Sequence, residues 1–245
     1  MKDKTDIHNE RRQLLIGLGK TLAATLPVFG WPLPVKAVPH HKKTGGIMKL
    51  PRAKQTGMVA VEQAIAQRRT VRSYQSKPLS LEQLAQLMWA AQGITGKSGF
   101  KRAAPSAGAL YPMDLYVVAD GACVEDLEAG VYHYEPAGHM LSPISDKSLL
   151  RDVARASLSQ MWMATAPVNL LITVEYRRIE GKYGSRGERY AMIEAGHIGQ
   201  NIFLQAEALG LKAGIVGAFQ DGEINRVLDL PHTHEPLIIM PVGYG

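Results

Sequence analysis

Residues 186–201 run Arg-Gly-Glu-Arg-Tyr-Ala-Met-Ile-Glu-Ala-Gly-His-Ile-Gly-Gln-Asn and lead into a segment too apolar for a surface helix. Ile198, Ile202 and Leu209 recur at helical spacing on one side, and Leu204 and Ala208 fill another. The pattern predicts a helix over roughly 189–209. Gly196 and Gly199 leave part of its surface without side chains. A helix apolar nearly all round, with small residues on it, belongs at the centre of a domain or at an interface. Any fold for this chain has to be built around it.

The flanking sequence supplies shorter elements. Residues 58–67 predict a helix with Val61 and Ile65 on one face. Ser80-Leu81-Glu82-Gln83 is a capping box that opens a second helix, whose apolar side is Leu81, Leu84, Leu87, Met88 and Ala91 and which ends at Gly93. Strands are expected at 115–119, at 130–134 paired with the segment around Met140, at 212–216 and at 237–242. A helix is expected at 148–157. Val168 to Val174 is a continuous apolar run with a single Asn, the mark of a strand buried on both faces. Helices and strands alternate irregularly, which predicts an α+β fold.

Charge narrows the function. The net charge of +6 is unevenly placed, because residues 1–54 hold 11 Lys/Arg against 3 Asp/Glu and the remainder holds 17 against 19. The folded part is nearly neutral, which argues against nucleic-acid binding by phosphate neutralisation. Cys123 is the only cysteine, so an intrachain disulfide or cysteine metal cluster is ruled out. Arg11-Arg12-Gln13-Leu14-Leu15 precedes a weakly apolar stretch, and Val35-Lys36-Ala37 fits small-residue cleavage. This resembles a twin-arginine export signal over 1–37. The apolar stretch is too short and diluted for a stable membrane span. Residues 38–57 read as a polar linker and 58–245 as the folded domain. The destination is then periplasmic or otherwise exported, the alternative being cytoplasmic.

Several segments outside the long helix carry chemistry. Arg68-Arg69-Thr70-Val71-Arg72 places three guanidinium groups at a helix end, and guanidinium grips phosphate oxygens in paired hydrogen bonds. Ala104-Pro105-Ser106-Ala107-Gly108-Ala109 is a small-residue turn along which a flat ring system could approach backbone, with a hydroxyl on Ser106. Gly214 and Gly217 flank Val216 in a third segment, and Pro241-Val242-Gly243-Tyr244-Gly245 is a fourth. Lys182-Tyr183 stands just before the long helix. A lysine or a tyrosine beside a cation can accept a proton. On residue types alone, the arginines are equally a solvated surface and Gly-Lys-Tyr-Gly an exposed loop. Glu194 and His197 have i, i+3 spacing and read as structural partners. Arg189 and Tyr190 are placed to close a site. His40-His41 and His232-Thr233-His234 have no carboxylates at ligand spacing, so no metal site is expected.

Taken together, these segments resemble the nitroreductase family, and within it the SagB-like, thiazoline-oxidase branch, over residues 58–245. The resemblance implies a nitroreductase-like mixed sheet flanked by helices, with the long helix at a homodimer interface. It implies FMN as cofactor and an oxidoreductase that moves hydride through flavin N5. It assigns Arg68, Arg69, Thr70 and Arg72 to the phosphate and ribityl chain, and Pro105, Ser106, Ala107 and Gly108 to the ring. Gly214, Val216 and Gly217 would reach the flavin, often through backbone groups, with Gln200 and Asn201 at its edge. Lys182 and Tyr183 are the implied catalytic pair. Family members often supply a basic residue to the phosphate beyond the segment at 241–245, which shifts that load to Arg68 through Arg72. The substrate implied is a small or peptide-derived molecule. Alternatives are an NAD(P)H-dependent nitro or quinone reductase, and a flavin-binding or assembly protein without turnover.

Overall fold

One sheet organises the chain. The computed structural model describes residues 46–97 and 99–245. Its strands are β1 (Met48–Lys49), β2 (Met113–Ala119), β3 (Gly130–Glu135), β4 (Met140–Ser145), β5 (Val168–Val174), β6 (Lys212–Ala213) and β7 (Glu235–Gly243). Their order is β1-β4-β3-β2-β5-β7-β6. Every ladder between these strands is antiparallel, and parallel pairing enters only through isolated bridges, Thr70 with Ala213 and Leu79 with Val124. All seven residues of β5 are buried between β2 and β7. Leu170, Ile172 and Val174 face one core and Leu171 the other, which is why this strand reads as an unbroken apolar run. The edge strands β1 and β6 have two residues each, so little unpaired backbone is left at either edge.

Helices cover both faces. They are α1 (Val61–Gln67), α2 (Leu81–Gln92), α3 (Leu150–Ala156), α4 (Arg177–Tyr183), α5 (Arg186–Ala208) and α6 (Asp221–Leu228). On one face Leu84, Leu87 and Met88 of α2 and Ile198 and Ile202 of α5 pack over Leu115, Val117 and Met240. On the other, Val153 of α3 and Ile224 and Leu228 of α6 cover Tyr116, Val118 and Ile239. The capping box at Ser80 is formed: its Oγ accepts from the Gln83 N–H at 3.2 Å, and Gln83 Oε1 accepts from the Ser80 N–H at 3.0 Å.

Some expectations need correction. The stretch 38–57 contains structure, because Met48 and Lys49 pair with Leu141 and Met140 and Leu50 is buried. Residues 46–57 therefore belong to the domain. The segment carrying Lys182 and Tyr183 is helical and not a loop; Gly181 does not break α4, and Gly184 ends it with φ +55°. Helix α6 was not foreseen. The strand expected at 212–216 stops at Ala213, with only a bridge from Val216 to Ile239 beyond it. Helix α5 is not apolar all round either. Arg189, Met192, Ile193, Gly196, His197 and Gln200 form an exposed stripe, while Gly199 turns inward, where a Cβ built on it would lie 3.6 Å from Met240 Sδ. The export signal expected over 1–37 lies outside the described residues. No helix among the described residues is long and apolar enough to cross a membrane.

Candidate active site

The turn at 104–112 is held in an uncommon backbone form. Gly108 has φ +60°, and Ala109 and Tyr111 follow with φ 53° and 48°. A positive φ costs a non-glycine residue about 1–2 kcal/mol and persists where the surroundings enforce it, most often at functional sites. Here the Ser106 Oγ accepts the Tyr111 N–H at 2.9 Å, and the Arg102 guanidinium lies 4.4 Å from the Tyr111 ring centre. The turn ends against α4. A Cβ built on Gly108 would sit 2.8 Å from the Tyr183 hydroxyl and 2.9 Å from Lys182 Nζ. The fold thus brings Lys182 and Tyr183 onto the small-residue turn, where a larger residue than Gly108 would have to displace their ends. Lys182 Nζ is 5.4 Å from the Tyr183 ring centre, and Tyr183 packs edge-on against Tyr190 at 5.1 Å. Lys182 and Gly108 are exposed, so this meeting point faces solvent.

Helix α4 is anchored by charge. Arg178 Nη1 lies 2.7 Å from Asp114 Oδ2 on β2, and its Nε lies 2.6 Å from Glu175 Oε2. His133 Nε2 is 2.9 Å from the other Asp114 oxygen. His234 is buried, bonded through Nδ1 to the Tyr116 hydroxyl at 2.7 Å, with Nε2 3.6 Å from Asp114. Burial pushes the His234 pKa down, partly offset by Asp114. Burial alone would raise Asp114, but His133, Arg178 and His234 hold it down to about 2. The sequence offered no carboxylate near His234, and that reading is corrected: Asp114, Glu175 and His234 present ligand atoms within 4.8 Å of one another. Residues far apart in sequence meet here because β2, α4 and the start of β7 converge. The Arg178 guanidinium is the cation among them.

The phosphate-type cluster follows α1, and its Arg68 reaches the later part of α5. The Arg68 guanidinium stacks on Phe203 at 5.2 Å and that of Arg72 on Trp162 at 5.9 Å. Among the described residues neither pairs with a carboxylate. Arg69 is different, since its Nη1 caps α1 by donating to the carbonyls of Ala66 and Arg68 at 2.9 and 2.7 Å. Thr70 bridges Ala213 and extends the sheet past β6. In the third segment, the expected backbone contact at Val216 is corrected. Its N–H and C=O both bond Ile239, at 2.8 and 2.9 Å, and its side chain is buried. Gly214 is likewise filled by protein, because a Cβ there would come 2.8 Å from the Val71 carbonyl and 3.0 Å from the Trp162 ring. Gly217 faces solvent, as do Gln200 and Pro105, while Ser106 and Ala107 are half-buried. Asn201 is half-buried; its Nδ2 donates to the Ala90 carbonyl at 3.0 Å and ties α5 to α2. His197 does not meet Glu194, which instead accepts from Gln92 at 3.1 Å.

Phe203, where Arg68 docks, is nine residues from Glu194, which lies under the Ser106 turn. That is roughly 14 Å along α5 at about 1.5 Å per residue. A groove of about 850 Å³ between residues 52–59, α2 and the end of α5 contains none of the predicted site residues. Sequence reasoning missed Asp114, Glu175 and Arg178. Arg178 did carry a signal, the i, i+3 spacing from Glu175, but its partner on β2 is visible only in the fold.

Comparisons with known proteins follow the same lines. The family model described as Nitroreductase family matches residues 65–244. The protein MJ1384 of Methanocaldococcus jannaschii, provisionally named a nitroreductase, is 44% identical over 186 residues, 76% of this chain and 91% of that protein. The microcin B17-processing protein McbC of Escherichia coli is 28% identical over 171 residues, 67% of this chain and 62% of its own length. In three dimensions, a chain of the E. coli microcin synthetase McbBCD complex with truncated pro-MccB17 bound superposes with a TM-score of 0.63 at 23% identity, covering 100% of this chain and 94% of that one. At that identity the likeness is one of fold.

Proposed function

This chain belongs to the nitroreductase family, and from that premise we propose that it is an FMN-dependent dehydrogenase or oxidase of the SagB-like branch, acting on a peptide-derived or other small substrate. Family membership makes it an oxidoreductase. The finer reading rests on one observation: Lys182 and Tyr183 converge on Gly108, in the turn that the resemblance assigns to the flavin ring. The likeness to McbC supports a peptide-derived substrate.

The residues suit an FMN-sized anion in two pieces. Arg68 and Arg72 are cations without carboxylate partners among the described residues, each lying over an aromatic ring, and suited to phosphate. The Pro105–Gly108 turn offers a surface free of large side chains. Arg68 docks on Phe203, well along α5 from Glu194 beneath the turn, and the exposed stripe of Met192 and Ile193 lies on the same helix. A homodimer that pairs the arginines of one copy with the turn of the other completes the site. FMN, when bound, supplies the two-electron chemistry. The chain positions the substrate above the turn, and Lys182 Nζ or the Tyr183 hydroxyl takes the proton that leaves the oxidised atom. Asp114 and Arg178 hold α4, and so hold that pair in place.

Export belongs to the same proposal, on the strength of Arg11-Arg12 and the apolar stretch after them. Reduced nicotinamide is absent outside the cytoplasm, so an electron acceptor such as oxygen, quinone or a redox partner fits better than a nicotinamide donor. The test is an absorbance spectrum of the purified protein followed by anaerobic NADH or NADPH. Flavin bands that persist on addition, and bleach with a peptide-derived azoline, are the expected result. Rapid bleaching by nicotinamide would favour a nitro or quinone reductase. Bands that no substrate bleaches would favour a flavin carrier. Failure to bind added FMN would remove the reading.

A further inference from the structure

Helix α5 carries one carboxyl group into the interior. Glu194 is 1% exposed, and Gln92 Nε2 donates to its Oε1 at 3.1 Å. The remaining oxygen of each side chain, Gln92 Oε1 and Glu194 Oε2, is buried with no hydrogen-bond partner. Two orphaned acceptors on the same pair of residues point to a missing hydrogen. A carboxylate and an amide share hydrogen bonds in one direction only, because a carboxylate has nothing to donate to the amide oxygen. A carboxylic acid and an amide share two: the amide N–H donates to one acid oxygen, and the acid O–H donates back to the amide oxygen. A single proton on Glu194 Oε2 would satisfy both buried orphans.

We propose that Glu194 is a neutral acid at pH 7, closed in a two-bond ring with Gln92, and is the proton-holding group beneath the Ser106 turn. The groups around it agree. Burial is the largest influence and raises the Glu194 pKa, while Ser106, Gln92 and the charge on Arg102 lower it without cancelling that rise. Helix α2 presents an amide at this point and no charge. Arg102, on the loop before Pro105, makes no ion pair with Glu194 among the described residues, and its charge is shared with Asp114 on β2. On α5 itself His197 is exposed, and Lys182 and Tyr183 of α4 meet the turn at Gly108. Given the reading of that turn as the active site, which this inference rests on, two consequences follow. No fixed negative charge lies beneath the ring-binding surface, and a dissociable proton is stored next to the Ser106 hydroxyl.

The test uses full-length protein with carbon-13 in its glutamate carboxyls and no added flavin, titrated by NMR. One resonance should keep its neutral-acid position at pH 7, titrate well above the others, and be missing in Glu194→Gln. If that variant does not fold, Ser106→Ala identifies the resonance by shifting it selectively. Glutamate carboxyls that are all ionised at pH 7 would overturn the proposal, as would a neutral one that neither substitution affects. The two readings separate cleanly. A protein with neutral Glu194 that never binds FMN sinks the flavin reading and leaves the pair intact; bound FMN over an ionised Glu194 does the reverse.

Discussion

Gly108 and Gly214 look alike in sequence, and the space around them makes different demands. At Gly108 the obstructing atoms are the far ends of Lys182 and Tyr183, which can move, but φ is +60°. Gly108→Ala should cost about 1–2 kcal/mol of stability from the backbone term. It should also cost more activity than stability, because the pair is pushed off the turn; steady-state kinetics beside urea unfolding will separate the two. At Gly214 the obstruction is the Val71 carbonyl, which cannot move without the sheet edge. Gly214→Ala is expected to destabilise by about 2–3 kcal/mol, in line with overpacking a tight core. For Arg68 and Arg72 the prediction concerns the ligand. Replacing both by Ala should weaken FMN retention by roughly 10–100-fold, the worth of one or two charge-assisted hydrogen bonds, and leave apo-protein melting nearly unchanged. Fluorescence titration with FMN measures this, and unchanged affinity would sink the assignment. Residue types with local meaning were legible in the sequence: the capping Ser80, the small-residue turn and the unpartnered arginines. Val216 was misread because burial and strand pairing of a single residue depend on what lies across from it.

Helix α4 is short, and its position depends on tethers more than on packing. Ile179 is its one buried side chain, and Arg178 ties it to Asp114 and Glu175. The folded Asp114 pKa, about 2, lies below its ordinary value of 3.8. The folded state therefore binds this proton less readily than the unfolded chain. The stability it contributes, about 2 kcal/mol at about 1.4 kcal/mol per pKa unit, is present above pH 4 and lost as pH falls from 4 towards 2. Urea unfolding across that range should show the loss. Asp114→Asn should flatten it and lower stability at neutral pH, since Arg178 and His133 each lose the charge on Asp114. Arg178→Met should speed amide hydrogen exchange in α4 while leaving α2 unaffected. Periodicity revealed α2 and α5 because each has a long face against one core, and an apolar run revealed β5 because both its faces are buried. It did not reveal α4, where Gly181 and Lys182 dilute the pattern, or β1, whose pairing is set by the distant β4.

At the scale of the whole molecule, the exposed apolar residues call for a partner. Val61 and Ile65 on α1, with Met192 and Ile193 on α5, face solvent in a single copy. A charge at one of them, as in Ile193→Glu, should convert a dimer to monomers in sedimentation and reduce FMN retention with it, because neither copy alone unites the arginines with the Ser106 turn. A monomeric wild-type protein that binds FMN fully would remove the dimer from the proposal. The sheet order carries a different message, about time. Strand β7 lies latest in the sequence, yet it sits inside the sheet, between β5 and β6. Until residues Glu235–Gly243 are available, β5 presents an open edge, polar only at Asn169 and Thr173, and β6 lacks the strand it pairs with, keeping only its bridge to Thr70. A growing chain therefore cannot mature stepwise from its beginning; it must wait, shielded from other unfinished copies, and then close in a late step dominated by distant contacts. The expected cost of placing β7 inside the sheet is a need for chaperones during synthesis, more than fragility afterwards.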